Sequence, residues 1–483
     1  MSEVKVNKIS PRTNCGTVTL GDSGDTFTIP AGATITNNGT ANGFGATGAV
    51  NWQTTVKTSG FTATAGEGYF VNTTSGAISV NLPAGTAGAV IGVKDYANTW
   101  DTNNCTLVRN GSDKIGGLAQ DSTLSTEGLA VTLVFIDSTQ GWLVTDSGLQ
   151  SDAPGIQFVA ATGGNAVVTS GNFKTHIFTS PGTFTVSNAG NSQGSNTLDY
   201  VVVGGGGGSG SYNGGGGGAG GFRLSNSAGC VPAPTMSPLV APAGLTATSG
   251  SFPISVGAGG AAGSPPGTPP YPGEPGVNSV FSTITSAGGG GSGHTATSGS
   301  NGGSGGGAGG EGPGSNNGGT GNTPAVVPAQ GEDGGDGGTG PNGRASGGGG
   351  GAGAAGADAR SGDPADGGDG GIGSFVADAF IGPPAPSYGT PGPVSSTRYF
   401  AGGGGGGTES APTIPGGLGS NGDGGAGGGG PGGPAPTTRG SGTAGTINTG
   451  GGAGGASRYD CNGSYGSGAT GGSGIVIIRY KFQ

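Results

Sequence analysis

The chain has 483 residues, of which 124 are glycine and 31 proline, and only 9% are charged and 31% hydrophobic. The net charge of −10 comes with no cluster of lysine and arginine, which argues against a nucleic-acid partner, because phosphate binding needs grouped basic residues. The start, MSEVKVNKIS, lacks the apolar region of a signal peptide, and the runs YVVV and IVII are too short for membrane insertion. We therefore expect assembly in the cytoplasm and release by lysis or a specialised route.

Residues 1–48 contain short alternations of apolar and polar residues. In DTFTIP, Phe27 and Ile29 fall on one face of a predicted strand, and Pro30 ends it. A segment of this size cannot bury a core alone. We expect it to trimerise or to dock onto a larger partner.

Residues 49–147 are predicted to form a compact all-β domain. GAISVNLP places Ile78, Val80 and Leu82 on one face, and residues 131–136 and 142–145 are predicted to pair as a hairpin. No stretch has a helical period, and the spacing of the strands indicates a sandwich or small barrel. Residues 148–157, with the sequence GLQSDAPGIQ, are interpreted as a linker that leads to further strands.

A second β-region is predicted from residues 158–203 together with residues 475–483. KTHIFTSPGTFTVSNAG is interpreted as a hairpin, and LDYVVVG, SFPISVGAGG and GIVIIRYKFQ have the same strand character. We expect these strands to form one small sheet, in which residues 199–203 pair with residues 475–482. This sheet would be the base that carries residues 204–474.

Residues 204–474 are a glycine-rich tract, and three states are conceivable for it. Disorder avoids an ordering cost of about 1–2 kcal/mol per residue, but the low charge is unlike that of disordered chains. Collagen requires glycine at every third position, which these runs do not keep. The remaining state is a set of left-handed helices with three residues per turn, packed closely because glycine has no Cβ. The predicted fold is therefore all-β N-terminal domains followed by packed polyglycine II helices on a β-sheet base, without α-helix.

No metal, cofactor or catalytic site is expected from the motifs. The pieces GEDGGDGGTG and DPADGGDGGIG only partly match calcium-binding repeats, so solvated loop carboxylates are favoured. His176 and His294 are far apart in sequence, and GxGxxG occurs by chance in this composition. The cysteines are dispersed without CxxC. Free thiols are expected, and a Cys230–Cys461 disulfide is the alternative if the ends of the tract are adjacent.

Phrases along the chain carry a resemblance to phage proteins. VTLGDSGDTFTIPAGATITNNGTANGFG and the block from GYFVNTTSGAISVNLP to VTLVFIDSTQGWLVTD resemble the N-terminal parts of tail-fibre proteins of marine bacteriophages. YVVVGGGGG, GGGGGAGGFR and GGSGIVIIRYKFQ are similar to the glycine-rich distal module of the same proteins. The glycine architecture also resembles the tip adhesins of T-even-like phages, in which packed polyglycine helices form a rigid block with receptor-binding loops at one end. This chain differs in its upstream β-domains and irregular runs.

The resemblance implies a role, partners and a location. It implies a homotrimeric tail fibre of the virion, attached through residues 1–48 to other tail or baseplate proteins. Its receptor would be a host surface glycan or an outer-membrane protein. The alternative is a tailspike-type polysaccharide depolymerase, but such enzymes usually need paired carboxylates on a long β-helix, and no β-helix period is visible. A non-viral structural glycine-rich protein would leave the N-terminal phrases unexplained.

Side chains suited to receptor binding interrupt the glycine runs. Aromatic residues and arginine on loops held by a rigid scaffold are typical of binding sites. The receptor-binding candidates are Tyr271, Phe380, Tyr388, Arg398, Tyr399 and Phe400. Further residues of the same kind are Tyr212, Phe375, Arg458, Tyr459 and Tyr465. The alternative is that these aromatics pack over the edge of the glycine region or against the sheet.

Overall fold

The computed structural model describes residues 9–10, 17–19, 50–149, 156–228, 231, 235–264, 271–310, 316–338, 344–362, 365–410, 419–434, 440–459 and 464–483. Most of the predicted attachment segment 1–48 and three cysteines, Cys15, Cys230 and Cys461, lie outside these ranges, so the disulfide alternative does too. The chain divides into two compact units, Met1–Pro154 and Gly155–Gln483. In the described ranges, no helix has the length and apolar character needed to cross a membrane.

The described residues of the first unit form nine strands in two sheets. The strands are β1 (Asn51–Lys57), β2 (Phe61–Thr62), β3 (Glu67–Val71), β4 (Ile78–Asn81), β5 (Val90–Asp95), β6 (Cys105–Val108), β7 (Ser122–Leu124), β8 (Leu129–Phe135) and β9 (Trp142–Leu149). The sheet orders are β1-β3-β5-β8-β9 and β2-β4-β6-β7. Ile78, Val80 and Leu82 are buried in the core of this unit, as their alternation predicts.

The chain of the first unit alternates between its two sheets. β1, β3 and β5 pair in parallel in one sheet, and β2, β4 and β6 pair in parallel in the other. Successive turns of the chain therefore stack on one another. The sequence shows no repeat for this arrangement, because the turns differ in length. The predicted hairpin is confirmed, since β8 and β9 pair antiparallel with Phe135 opposite Trp142.

The second unit begins with a β-sandwich. Its strands are β10 (Val159–Thr162), β11 (Ala166–Ser170), β12 (Phe173–Phe178), β13 (Gly182–Ala189), β14 (Thr197–Val203), β15 (Phe222–Ser225), β16 (Val240–Ala241), β17 (Leu245–Thr246), β18 (Gly250–Ser255), β19 (Ser279–Phe281), β20 (Ile284–Ser286) and, at the C-terminal end, β26 (Ile475–Lys481). One sheet has the order β10-β13-β18-β19-β20. The other has the order β11-β12-β26-β14-β15-β16, with β17 paired to β14.

The strands β14 and β26 lie at the centre of the larger sheet and are buried on both faces. Tyr200, Val202, Val476 and Ile478 pack between the two sheets. On the other face, Val201, Val203, Ile475 and Ile477 pack into a second apolar cluster. Strands covered on both faces have continuous rather than alternating apolar sequences, which explains YVVV and IVII. The predicted pairing of these two strands is confirmed: they are antiparallel, with Val203 opposite Ile475.

Two predictions about this region are wrong. The strands of KTHIFTSPGTFTVSNAG do not pair with each other, since β12 pairs with β11 and β26 whereas β13 pairs with β10 and β18. The turn after Phe178 instead carries the chain from one sheet to the facing one, which lets Phe178 and Phe184 enter the same core. The strand in SFPISV, β18, lies in the β10-β13-β18-β19-β20 sheet and not in the sheet of β14 and β26, so the base is a two-layer sandwich rather than one sheet.

The structure contains a short α-helix, although the sequence predicted no α-helix. α1 (Asp378–Ile381) lies between β21 (Ser374–Ala377) and β22 (Thr397–Phe400), which pair antiparallel, and a 3-10 turn, Ala385–Ser387, follows it. Phe380 and Ile381 are buried, and Gly382 ends the helix with φ of 94°. A single helical turn is too short to produce a periodic pattern in the sequence.

The remaining glycine-rich segments between β14 and β26 form a body that we call the glycine block. Its hydrogen bonds join different segments and repeat every three residues. Along the segment after β14, amides donate to one neighbour in steps of three: Gly205 to Val277, Gly208 to Glu274 and Ser211 to Tyr271. This is the period that the polyglycine-helix prediction requires, while the helical conformation itself stays a prediction.

Segments inside the block are surrounded on all sides. The amides of segment 402–407 donate to segments 427–430, 368–371 and 214–217, and its carbonyls accept from segments 452–455, 422–425 and 346–349. Six neighbours is the number found in hexagonal packing of rods. Because every backbone group in this segment has a partner in another segment, the interior of the block needs no apolar side chains.

Glycine is required where segments approach this closely. A Cβ on Gly404 would lie 1.9 Å from the carbonyl oxygen of Ala453. Alanine is accommodated where a segment faces the apolar cluster beneath the sheet, as Ala219 and Ala352 do. The pattern of glycine and alanine therefore follows the position of each residue in the packing, not a fixed sequence repeat.

Candidate functional site

The glycine block has two ends. One end adjoins the sandwich, where Val203 pairs with Phe222 across β14 and β15, and we call it the sheet end. The chain runs out along segment 204–209, turns at residues 211–213 and returns along segment 214–221. Tyr212 and Asn213 have positive φ, at 54° and 31°, which makes this turn tight. We call the end at this turn the tip.

Residues distant in sequence meet at the tip. The Ser346 hydroxyl donates to the Asn213 carbonyl at 2.7 Å, the Gly407 amide donates to the Gly214 carbonyl at 3.2 Å, and the Gly214 amide donates to the Ala456 carbonyl at 3.0 Å. These contacts place the ends of three further segments beside the turn, just before or after Arg344, Glu409 and Arg458. Three short strands cap this region: β23 (Glu409–Ser410), β24 (Arg458–Tyr459) and β25 (Ser464–Tyr465).

Three half-buried rings form an aromatic cluster at the tip. The ring of Tyr271 lies 5.2 Å from that of Tyr212 and 5.4 Å from that of His294, measured between centroids. The Ser211 amide donates to the Tyr271 carbonyl at 3.0 Å, which fixes the loop that carries Tyr271. Burial lowers the pKa of His294, so its ring is neutral near pH 7. The cluster offers partly exposed aromatic surface on a fixed backbone.

A charged cluster lies beside the same turn. The Glu409 carboxylate is 8% exposed and lies between two guanidinium groups, 3.6 Å from Nε of Arg344 and 3.7 Å from Nε of Arg458. The backbone reinforces the cluster, because the Glu409 amide donates to the Arg344 carbonyl and the Arg458 amide donates to the Thr408 carbonyl. The cluster therefore brings two guanidinium groups and one carboxylate together at the tip.

The structure separates the receptor-binding candidates. Tyr271 is at the tip, and the other five lie in the 374–400 insertion at the sheet end. Phe380 and Phe400 are fully buried and Tyr399 is 3% exposed, while Tyr388 packs against the same apolar cluster. Arg398 pairs with Asp378 at 3.3 Å. Phe375 packs on Tyr399 with centroids 5.0 Å apart.

Phe380, Tyr399 and Phe400 are buried in this conformation. Their burial agrees with the alternative that these aromatic residues pack against the sheet. A receptor-binding role for the five insertion residues stays a prediction. Sequence reasoning missed His294, Arg344 and Glu409 at the tip. Each of these residues interrupts a run of glycine, and this could have marked it as a candidate. The sequence does not show at which end of the block an interruption lies.

The aspartates of GEDGGDGGTG and DPADGGDGGIG act at the edge of the block. They occur three residues apart and accept backbone amides of the adjacent segment: Asp333 from Gly321, Asp336 from Gly318, Asp366 from Ser420 and Asp369 from Asp423. The hydrogen bond from the Ser420 amide lowers the pKa of Asp366. Within the described ranges, no group of three or more metal-ligating side chains is placed to hold a metal ion. These carboxylates replace the missing outer neighbour of an edge segment.

The fold and the tip define a β-sandwich protein that carries a hydrogen-bonded glycine block. The sequence of residues 179–481 matches the family model described as a glycine-rich domain, and this match covers more than half of the chain. The chain therefore belongs to the glycine-rich domain family. It is also similar to the baseplate wedge protein gp10 of Enterobacteria phage T4, with 42% identity over 73 residues. That stretch is 14% of this chain and 12% of the phage T4 protein, so the similarity is local.

Proposed function

We propose that this protein is a structural component of a phage tail or baseplate and that it contacts the host surface through the tip of the glycine block. The local similarity to a phage T4 baseplate protein supports the first part. The gathering of Tyr212, Tyr271 and His294 at one end of the block is the observation that carries the second part.

The physical argument for the tip is that its side chains are held in place before binding. A side chain on a fixed backbone loses little conformational entropy when a receptor binds, so more of the contact energy appears as affinity. Aromatic rings and arginine contribute most to such contacts, because they bury large area and keep a polar group for hydrogen bonding. The aromatic cluster supplies the rings, and the charged cluster supplies the arginines.

We further propose that the segments of the block are polyglycine II helices. Their three-residue hydrogen-bond period, their six neighbours and the absence of positive φ in segments 204–208 and 402–407 support this conformation. A block of this kind is rigid without an apolar core. It would keep the tip loops at a fixed distance from the sandwich.

The proposal includes the role of the remaining parts. The protein acts as a homotrimeric tail fibre of the virion, residues 1–48 attach it to other tail or baseplate proteins, and its receptor is a glycan or outer-membrane protein of the host. The proposal includes no catalytic role, and the aspartates at the block edge serve as acceptors for backbone amides.

Adsorption of variant virions tests the proposal. Virions carrying Tyr212→Ala and Tyr271→Ala should adsorb to their host at least about tenfold more slowly, since two central aromatic contacts are lost. Tyr96→Ala, which removes an exposed tyrosine of the first unit that is not a receptor-binding candidate, is the matched control and should adsorb normally. Normal adsorption of the tip variant, with the protein incorporated into virions, would contradict the proposed receptor contact.

A further inference from the structure

A cavity of about 410 Å³ opens at the end of the sandwich that is remote from the glycine block. It lies between the loop that joins β13 to β14, the start of β12, the end of β26 and the residues that follow β15. Three asparagines, three serines and a threonine line it, together with the ring of Phe173 and the side chain of Lys481. Its volume is within the usual range for small-molecule sites.

The loop that forms one wall is held in a single conformation. The Asn191 side-chain oxygen accepts the amides of Gln157 at 3.2 Å and Gly194 at 3.0 Å. Gly190 has φ of 69°, and a Cβ on Gly194 would lie 2.0 Å from the Gln157 carbonyl oxygen, so both glycines are needed for this path. The hydroxyl and amide groups of the wall are therefore positioned in advance.

Two buried charged residues, Asp199 and Arg479, lie behind the opposite wall. The Asp199 carboxylate accepts the amides of Ser227 and Ala228, both at 2.7 Å. Arg479, which is opposite Asp199 in the β14–β26 pair, donates to the Ala228 carbonyl and lies 3.7 Å from the centroid of the Phe173 ring. Asp199 and Arg479 carry opposite charges and are buried neighbours in adjacent strands.

Lys481 gives the cavity a positive charge. Among the described residues that line the cavity, Lys481 is the only one with a charged side chain, and none is an aspartate or glutamate. Its ammonium group also lies 5.3 Å from the centroid of the Phe158 ring, which orients the side chain. A cavity with this lining favours a ligand that is rich in hydroxyl groups and carries a negative charge.

We propose that this cavity binds an acidic saccharide, that is, a sugar that bears a carboxylate. Asparagine and serine side chains both donate and accept hydrogen bonds, as sugar hydroxyl groups do. The Arg479 guanidinium covers one face of the Phe173 ring, and the partly exposed remainder of the ring provides an apolar surface for the C–H groups of a sugar ring. Lys481 pairs with the carboxylate. The cavity and the tip are at opposite ends of the second unit, so this inference does not rest on the proposed function.

Titration of the full-length protein tests the inference. The probes are the methyl glycosides of glucuronic acid, galacturonic acid and N-acetylneuraminic acid, with the methyl glycosides of glucose and galactose as uncharged counterparts. We expect at least one acidic probe to bind with a Kd on the order of 1 mM, as measured by ligand-observed NMR. Its uncharged counterpart should bind at least about tenfold more weakly, because a charge-assisted hydrogen bond is absent.

Variants locate the binding. Lys481→Met should weaken the acidic probe about tenfold and leave the uncharged probe unchanged. Asn172→Ala, which alters an exposed lining residue and should not disturb folding, should weaken both. Lys94→Met in the first unit is the control and should change neither. The inference is overturned if no acidic probe binds, if both probe classes bind equally, or if Lys481→Met has the effect of the control.

Discussion

Val203 and Ile475 lie opposite each other in the antiparallel pair β14–β26, and the whole glycine block is inserted between them. Both side chains are fully buried in the apolar cluster beneath the sheet. The sandwich therefore fixes where the first segment of the block starts and where the last one ends. This gives the block a defined register although its own side chains are too small to specify one.

The close packing of the block predicts a strong effect of one methyl group. Gly404→Ala would place a Cβ 1.9 Å from the Ala453 carbonyl oxygen, so segments must separate. We expect the free energy of unfolding to fall by about 3 kcal/mol or more, measured by denaturant unfolding followed by circular dichroism. Gly338→Ala is the control, because its Cβ would meet its first neighbour at 3.3 Å. Equal stability of the two variants would be inconsistent with the packing described.

Hydrogen exchange should distinguish the block from a disordered glycine tract. The amides of segments 204–208, 214–221 and 402–407 donate to carbonyls of other segments, so exchange requires several segments to open together. We expect protection comparable to that of β14 and β26, measured by mass spectrometry of peptides from these segments. Exchange of these peptides within seconds at neutral pH, with β14 still protected, would contradict an ordered block.

Stability should fall on mild acidification because of His176. Burial lowers the pKa of His176 below 6.5, and its Nε2 lies 3.0 Å from the Tyr480 hydroxyl. Below pH 6.5 the unfolded chain binds a proton that the folded chain does not, so stability is full above this pH and falls beneath it. We expect the thermal midpoint to decrease between pH 7 and pH 5, and less so in His176→Gln. Burial also lowers the pKa of His294, so His176→Gln combined with His294→Gln should have the flattest profile.

Two phenylalanines of the 374–400 insertion should differ in their effect on folding. Phe380 is fully buried beside Arg479 and the sheet, whereas Phe375 is partly exposed. Phe380→Ala should cost about 3–5 kcal/mol of unfolding free energy, and Phe375→Ala clearly less. Adsorption of Phe380→Ala virions separates the two interpretations of this residue. A stable variant that adsorbs poorly would favour receptor contact, while a destabilised variant with normal adsorption per folded molecule would favour packing.

Cys105 should be unreactive in the folded protein. Its thiol is fully buried in the first unit, and burial raises its pKa to about 12, so the reactive thiolate is scarce. Iodoacetamide at pH 8 should label the peptide that contains Cys105 only after denaturation, as read by mass spectrometry. Labelling of the native protein at this residue would show that the core of the first unit opens readily.

The sequence by itself determined the class of each part. Alternation at Ile78, Val80 and Leu82 defined a half-buried strand, and the continuous apolar runs YVVV and IVII marked two further strands. The lack of large side chains between them required the backbone amides to find partners in other segments. These conclusions depend on local composition and periodicity, which a sequence states directly.

Apart from the β8–β9 and β14–β26 pairs, only the tertiary structure decided which residues meet. The strands of KTHIFTSPGTFTVSNAG belong to different sheets, and no local signal distinguishes a turn within a sheet from a turn between two sheets. Nor does a local signal place the candidate residues. Tyr271 and Phe400 interrupt glycine runs in a similar way, yet Tyr271 lies at the tip and Phe400 at the sheet end. Glycine segments have no side chains that encode length or direction. Where each one turns is therefore set by hydrogen bonds to segments far away in sequence, and those contacts exist only in the folded chain.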